Sequence, residues 1–500
     1  MINNYLESQI KENFRYEPTL EQNLALKAVA KFLVSPQSDA LFLLRGFAGT
    51  GKTSLVSALV QTLDALKQKC VLLAPTGRAA KVFSLYANHP AYTIHKKIYR
   101  QRSFSNETDN FSLAENLQKH TLFLVDEASM VANDGLSGSS FGTGRLLDDL
   151  IHYVYSGEGC RLLLMGDAAQ LPPVGEEVSP ALSTDALRGY GLQVEELELT
   201  QVVRQSESSG ILWNATRLRE MIAADECWSL PKLRVSGFAD VQVVTGNELL
   251  DELESCYSRD GEDETIVVCR SNKRANLYNK GIRSRILWRE EELESGDMLM
   301  VAKNNYYWTE QEAIASKEAH RQMMKASQAG GVASSGEEKE NLPDFIANGE
   351  LVVVRRVRRT REMYGFRFAD VTIAFPDYDD YTMEVTLLLD TLHSDSPALS
   401  REAGERLFQT VMADYADIPL KRDRMKKMKQ DPHFNALQVK YAYAVTCHKA
   451  QGGQWQNVFL DQGYLSEEYL TPDYFRWLYT AFTRATERLY LVNYPAEQTE

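Results

Sequence analysis

The amino-acid sequence predicts an α/β protein whose parallel sheets are covered by helices, with a smaller β-rich insertion. Three observations carry that expectation. The first 200 residues hold four short apolar runs, Ala40–Leu44, Val71–Ala74, Leu122–Val125 and Leu162–Met165, each followed by a polar or glycine-containing turn. Their hydrophobicity is continuous rather than alternating, which marks strands covered on both faces. A second set follows at Thr265–Cys269, Ala442–Val445, Val458–Leu460 and Leu489–Val492, and a long stretch of different character separates its first two members.

The first run leads into Gly46-Phe-Ala-Gly49-Thr-Gly51-Lys52-Thr53, which fits G-x-x-x-x-G-K-[ST] and opens a helical pattern at Leu55, Leu59, Leu63 and Leu66. That strand–loop–helix setting is a phosphate-binding loop. Glycines let backbone N–H groups turn toward phosphates, and the helix N-terminus adds a favourable field. Lys52 is expected to reach the β- and γ-phosphates and the Thr53 hydroxyl to ligate Mg²⁺, with Gly46, Gly49, Gly51 and Ser54 completing the cradle. The cofactors implied are a nucleoside triphosphate, taken as ATP, and Mg²⁺.

The other runs end at Pro75-Thr76, Asp126-Glu127 and Gly166-Asp167. In open α/β sheets ligands lie at that edge. Asp126 suits the role of holding Mg²⁺, and Glu127 that of orienting and deprotonating an attacking water. In the turn that follows, Pro172 and Pro173 stiffen the chain after Asp167 and Gln170. An amide at Gln170 is placed to touch both the γ-phosphate and a neighbouring domain.

The insertion, about residues 297–438, has strand signals at Leu299–Val301, Leu351–Val354, Val371–Ile373 and Met383–Leu389. A small β-barrel or sheet is expected there. The segment 326–341 is small, polar and charged, and is expected to be a mobile loop. Two basic clusters interrupt an acidic background: Arg355, Arg356, Arg358, Arg359 and Arg361, then Lys421, Arg422, Arg424, Lys426, Lys427 and Lys429. Each reads as a solvated face or as a phosphate-contacting surface.

A chain of 500 residues with 44% hydrophobic content can bury several cores. The net charge of -14 gives no hint of a nucleic-acid partner and does not exclude one, since a basic channel can sit on an acidic body. The six cysteines form no C-x-x-C pair and read as reduced thiols of a cytoplasmic protein. The start lacks a signal pattern and no 18-residue apolar stretch follows, so a soluble chain without a membrane role is expected.

The strings GFAGTGKTS (46–54), APTGRAA (74–80), LVDEAS (124–129), GDAAQLPPVG (166–175), LTQVVRQ (199–205), VTCHKAQG (445–452) and YTAFTRAT (479–486) occur in that order. In them the chain resembles the superfamily 1 DNA helicases, subgroup B, of the RecD-like and Dda-like branch. The resemblance implies two RecA-like P-loop domains, the first over 1–200 and the second over 201–296 and 439–500, with an inserted small β-barrel at 297–438. It also implies a short duplex-splitting insertion at about 99–119.

Site roles follow by resemblance. Arg204 and Arg484 are implied to clamp the γ-phosphate across a cleft. Gln22, in Thr19-x-x-Gln22, resembles an adenine-reading glutamine and equally reads as the capping box of the next helix. Thr76, Arg78, His95, Thr446 and His448 resemble residues lining a single-strand path, although His95 also reads as a solvent-facing histidine. Phe83 and Tyr86 read either as stacking faces or as core. Ala450 stands where many relatives carry serine, and Gln454 where some carry an acidic residue.

The function implied is ATP-driven 5′ to 3′ translocation on single-stranded DNA with duplex unwinding, in DNA repair or recombination. Its partners would be single-stranded DNA, duplex junctions, and replication or repair proteins. Two alternatives stand beside it: a translocase that displaces proteins without separating strands, and an ATP-gated nucleic-acid-binding switch. RNA remains open as a substrate.

Overall fold

The computed structural model describes residues 2–101, 111–135, 142–203, 209–316, 345–465 and 470–500. The chain divides into two compact units, one of residues 1–270 with 447–500 and the other of residues 271–446.

The first unit opens with strands β1 (Ala40–Gly46), β2 (Lys69–Ala74), β3 (Ala91–Thr93), β4 (Tyr99–Gln101), β5 (Phe111–Leu113), β6 (Thr121–Val125), β7 (Arg161–Gly166) and β8 (Gln193–Leu199). Six of them form a sheet in the order β3-β2-β6-β7-β1-β8, and every neighbouring pair is parallel. Their C-terminal ends therefore share one edge, which brings Gly46, Thr76, Asp126 and Asp167 together from distant parts of the sequence. Strands β4 and β5 pair antiparallel as a separate ribbon.

The core behind this edge joins Phe42 and Leu44 of β1 to Leu55, Leu59 and Leu63 of helix Lys52–Ala65 and to Val29 and Phe32 of helix Leu20–Leu33. Full burial of such side chains contributes about 1.5–3 kcal/mol each. The phosphate-loop helix is thus anchored along its apolar face, while its first turn faces the sheet edge.

Strands β9 (Val241–Val244) and β10 (Thr265–Cys269) begin a second sheet before the chain enters the second unit. There β11 (Met298–Val301), β12 (Leu351–Met363), β13 (Phe366–Phe375), β14 (Tyr381–Leu388) and β15 (Leu437–Tyr441) close into a barrel. At its base a buried pair is bidentate: Arg283 donates from Nε and Nη2 to Asp297 at 2.8 and 2.9 Å. After β16 (Ala444–Thr446) the chain returns to the first unit with β17 (Trp455–Asp461) and β18 (Ala485–Val492). These join the second sheet in the parallel order β10-β17-β18-β9.

The expected fold class is what the structure has: two parallel sheets with helices, and a closed five-stranded barrel. The expected mobile loop at 326–341 lies outside the described residues. Among the described residues no helix is long and apolar enough to cross a membrane.

Candidate active site

Strand β1 ends at Gly46, where a Cβ would lie 2.9 Å from Thr50 Oγ1 and 3.1 Å from Leu199 Cβ. The loop then takes positive φ at Gly49 (79°) and Gly51 (85°), a conformation that costs side-chain-bearing residues about 1–2 kcal/mol. Gly51 is the cap of helix Lys52–Ala65. Lys52 Nζ donates to the carbonyls of Gly46 and Phe47 at 2.5 and 2.9 Å. The loop is held from outside as well: Val203 N–H donates to Gly49 O at 3.0 Å, and the Arg219 guanidinium lies 4.2 Å over the Phe47 ring.

Gln22 makes the capping box with Thr19 in both directions, and its Nε2 donates to Thr50 O at 2.9 Å. Its amide is thus occupied by the helix cap and by the phosphate loop, at the wall of the cleft. Thr53 and Ser54 sit in the first helical turn and line the same cleft.

Beyond β6, Asp126 is half-buried and Glu127 takes φ 51°. Glu127 N–H donates to Asp126 Oδ1 at 2.8 Å. Burial, then the charge of Glu127, pushes the Asp126 carboxyl up to about 7, against the pull of that hydrogen bond and of Lys52. Beyond β7, Asp167 is 1% exposed and Gln170 is 7% exposed. Gln170 Oε1 is buried and accepts no hydrogen bond within the protein.

Helix Pro472–Phe482 of the second sheet supplies the opposite wall. Tyr479 donates its hydroxyl hydrogen to Asp167 Oδ2 at 2.6 Å, and the Tyr479 hydroxyl oxygen accepts from Ala48 N–H at 3.0 Å. Leu171 is held at both ends: its N–H donates to Thr480 Oγ1 at 2.9 Å, and its carbonyl accepts from Gln451 Nε2 at 2.9 Å. Arg484, 3% exposed, donates to Thr480 O at 3.0 Å, Gly453 O at 3.1 Å and Thr483 Oγ1 at 3.1 Å. The cleft so formed has a volume of about 1080 Å³, at the upper end of the ~300–1,000 Å³ usual for small-molecule sites. Lys52, Thr53, Asp126, Glu127, Gln170 and Arg484 all line it.

The residues present fit a Mg²⁺–nucleotide. Glycines at positive φ bare the loop amides, a hydroxyl and a carboxylate offer hard oxygen ligands, and the Gln170 oxygen is a buried acceptor without a donor. Asp126 and Glu127 are adjacent carboxyls, and a divalent cation between them and a phosphate would offset their mutual repulsion.

The remaining expected residues fall as follows. Arg204 lies outside the described residues. Thr76 caps helix Gly77–Ala87, its hydroxyl accepting from Ala79 N–H at 3.2 Å. The Arg78 guanidinium stacks 4.0 Å over Trp455 and donates to Gln454 O at 3.1 Å. His95 is half-buried beside Tyr99, and burial pushes its imidazole down to about 4, so it is neutral at pH 7. His448 is exposed, and Thr446 belongs to the second unit. Phe83 is buried in the core, whereas Tyr86 is exposed and lines the cleft. Ala450 is buried and Gln454 is exposed on the cleft rim.

Sequence reasoning missed Tyr479, Gln451, Trp455 and Arg219. The first two stand inside strings already singled out. Their partners, Asp167 and Leu171, lie far away along the chain, so only the fold reveals what their polar groups hold.

Two family models match the chain. The one described as "AAA domain" matches residues 21–225, and the "UvrD-like helicase C-terminal domain" matches residues 441–492. An uncharacterised protein of Acanthamoeba polyphaga mimivirus is 21% identical over 94% of this chain and 98% of its own. The ATP-dependent RecD2 DNA helicase of Deinococcus radiodurans is 29% identical over 34% of this chain, which spans 21% of that protein. A Pif1 helicase from Bacteroides, solved with ADP-AlF3 and single-stranded DNA, shares 15% identity over 97% of this chain and 94% of its own, with a TM-score of 0.47. The chain is thus similar to an ATPase domain over residues 21–225 and to a helicase C-terminal domain over residues 441–492, and residues of both stretches line one cleft, the arrangement of an ATP-hydrolysing enzyme.

Proposed function

We propose that this chain is an ATP-driven DNA motor that moves 5′ to 3′ along single-stranded DNA and separates duplex ahead of it. The observation that carries the reading is the cleft itself. Lys52, Thr53, Asp126, Glu127 and Gln170 stand on one wall and Arg484 on the other, with the Tyr479 hydroxyl bonded across to Ala48 and Asp167. A ligand that touches both walls changes how tightly they close, and only such differential contact can move a conformational equilibrium. The RecD2 relative is named as an ATP-dependent DNA helicase, and the direction rests on the resemblance to its branch.

In this reading Thr53 and Asp126 would hold Mg²⁺, which when bound would neutralise phosphate charge. Lys52 and the loop amides bind the β- and γ-phosphates. The carboxylate of Glu127 takes the proton of the attacking water while the Gln170 oxygen accepts from it and orients it. Arg484 stabilises the charge that develops, and Arg204 is proposed for the same role. Thr76, Arg78, His95, Thr446 and His448 are the proposed strand contacts; hydroxyls and a neutral imidazole hold phosphates without reading bases.

Duplexes with a single-stranded tail on one end test this. A 5′ tail should support ATP-dependent strand separation and a 3′ tail should not, and single-stranded DNA should stimulate ATP hydrolysis strongly. Unwinding that needs a 3′ tail overturns the direction. Stimulated hydrolysis with protein displacement but no strand separation establishes a translocase instead. Hydrolysis indifferent to DNA removes the motor reading.

A further inference from the structure

Away from the cleft, at the far end of the phosphate-loop helix, three side chains of different chemistry converge. Asp64 is in the last turn of helix Lys52–Ala65, Cys70 is the second residue of β2, and His89 follows helix Gly77–Ala87 in the turn before Pro90. His89 Nε2 lies 3.7 Å from Cys70 Sγ and 3.6 Å from Asp64 Oδ1. All three ligand atoms lie within 4.8 Å of one another.

The state of the imidazole follows from its other side. Nδ1 lies 3.1 Å from Pro90 O. A carbonyl can only accept, so Nδ1 carries a hydrogen, and the neutral ring then presents a bare lone pair at Nε2. Pairing of the remote ring nitrogen with a backbone carbonyl is how metal-bound histidines are usually oriented. The bare Nε2 faces the Asp64 carboxylate oxygen and the Cys70 sulfur together, so it either accepts the thiol hydrogen or shares a cation with both.

We infer that Asp64, Cys70 and His89 form a site for a zinc-class divalent cation, with the fourth position open to water. Spacing favours the metal. Ligands at Zn–N about 2.0–2.1 Å and Zn–S about 2.3 Å in tetrahedral geometry stand roughly 3.3–3.7 Å apart, close to the two measured separations. Thiolate and imidazole select zinc over Mg²⁺, so the Mg²⁺ that serves the nucleotide does not compete here. The side chains of Asp64 and His89 are 48% and 22% exposed, which leaves the ion an entry path. An ion bound there would tie the phosphate-loop helix to β2 and to the end of the helix that Thr76 caps.

The test uses the full chain, stripped of metal and titrated with Co²⁺ as a spectroscopic stand-in for zinc. One equivalent should bind with a thiolate-to-cobalt charge-transfer band, and added Zn²⁺ should displace it whereas Mg²⁺ should not. C70S should abolish the band and weaken zinc binding more than about tenfold. D64N, a change at an exposed carboxylate that leaves the core intact, should weaken it as well. No charge-transfer band, or binding unchanged in C70S and D64N, overturns the site and leaves a plain hydrogen bond between Cys70 and His89.

Discussion

Glu127 holds φ 51° next to the carboxyl that burial has shifted, and no glycine relieves it. A non-glycine residue there costs about 1–3 kcal/mol, and such strain persists where the surroundings fix it. Two substitutions separate strain from chemistry. Glu127→Gln keeps the shape and the backbone, so ATP binding should survive while turnover falls by about 10²–10⁴-fold; normal turnover would remove Glu127 from the role of base. Glu127→Gly should lose turnover equally yet raise stability by roughly 1 kcal/mol, read as a higher unfolding midpoint. Asp126 gives a pH signature at the same scale. Its folded value near 7 stands above the unfolded 3.8, so its contribution to stability is present below about 4 and is lost as the pH rises toward 7. A divalent cation needs the ionised form. The stabilisation by Mg²⁺ plus a nucleotide analogue should therefore grow from pH 6 to pH 8, and Asp126→Asn should flatten that growth. An equal Mg²⁺ effect at both pH values in the native chain would exclude Asp126 as the ligand.

At the scale of elements, helix Pro472–Phe482 has its Tyr479 hydroxyl bonded to the phosphate loop and to the loop after β7 at once. Tyr479→Phe keeps the ring and removes both bonds, leaving the buried Asp167 with the Ala169 N–H as partner. Stability should fall by about 1–3 kcal/mol. If the hydroxyl couples the walls, the change in DNA affinity on adding an ATP analogue should shrink as well. A purely structural hydroxyl would leave that change at its native size. Legibility follows the same division. Strands β1, β2, β6 and β7 were readable because both faces are buried and the sequence is apolar throughout. Strand β8 was not, since Glu195, Glu196 and Glu198 give an edge strand a polar look, and β3 and β9 are too short to leave a pattern. Within the cleft, residues whose chemistry is local to a motif were legible: Lys52, Thr53, Asp126, Glu127 and Gln170. Tyr479 and Gln451 act only through partners about 300 positions away. Gln22 showed its helix cap in sequence as Thr19-x-x-Gln22, whereas its bond to Thr50 of the phosphate loop needed the fold.

For the whole molecule, charge sets a test of how the strand is held. The chain carries a net charge of -14, so its overall field repels a polyanion and binding must be local. Salt dependence counts the cations involved: for single strands the logarithm of affinity falls with that of salt by about 0.7 per phosphate neutralised. Among the proposed contacts, Thr76 and Thr446 are neutral, His95 is held neutral by burial, and the Arg78 guanidinium is engaged by Trp455 and Gln454. These residues alone therefore neutralise few phosphates, and a shallow slope, no steeper than about -2, is expected. The barrel offers a steeper alternative. Arg355 and Arg358 of β12 are paired with Asp380 and Glu384, and Arg361 with Asp370. Arg356 and Arg359 on the same strand are exposed, as are Lys421, Lys426 and Lys427 in helix Lys421–Lys429. If those groups take the backbone, the slope should exceed about -3 and fall by about 0.7 for each of Arg356→Gln and Arg359→Gln. Fluorescence anisotropy of a labelled oligonucleotide over a salt series decides it. A slope near -2 that neither substitution changes makes both basic clusters solvated faces, and a steep slope that each substitution lowers puts the strand on the barrel.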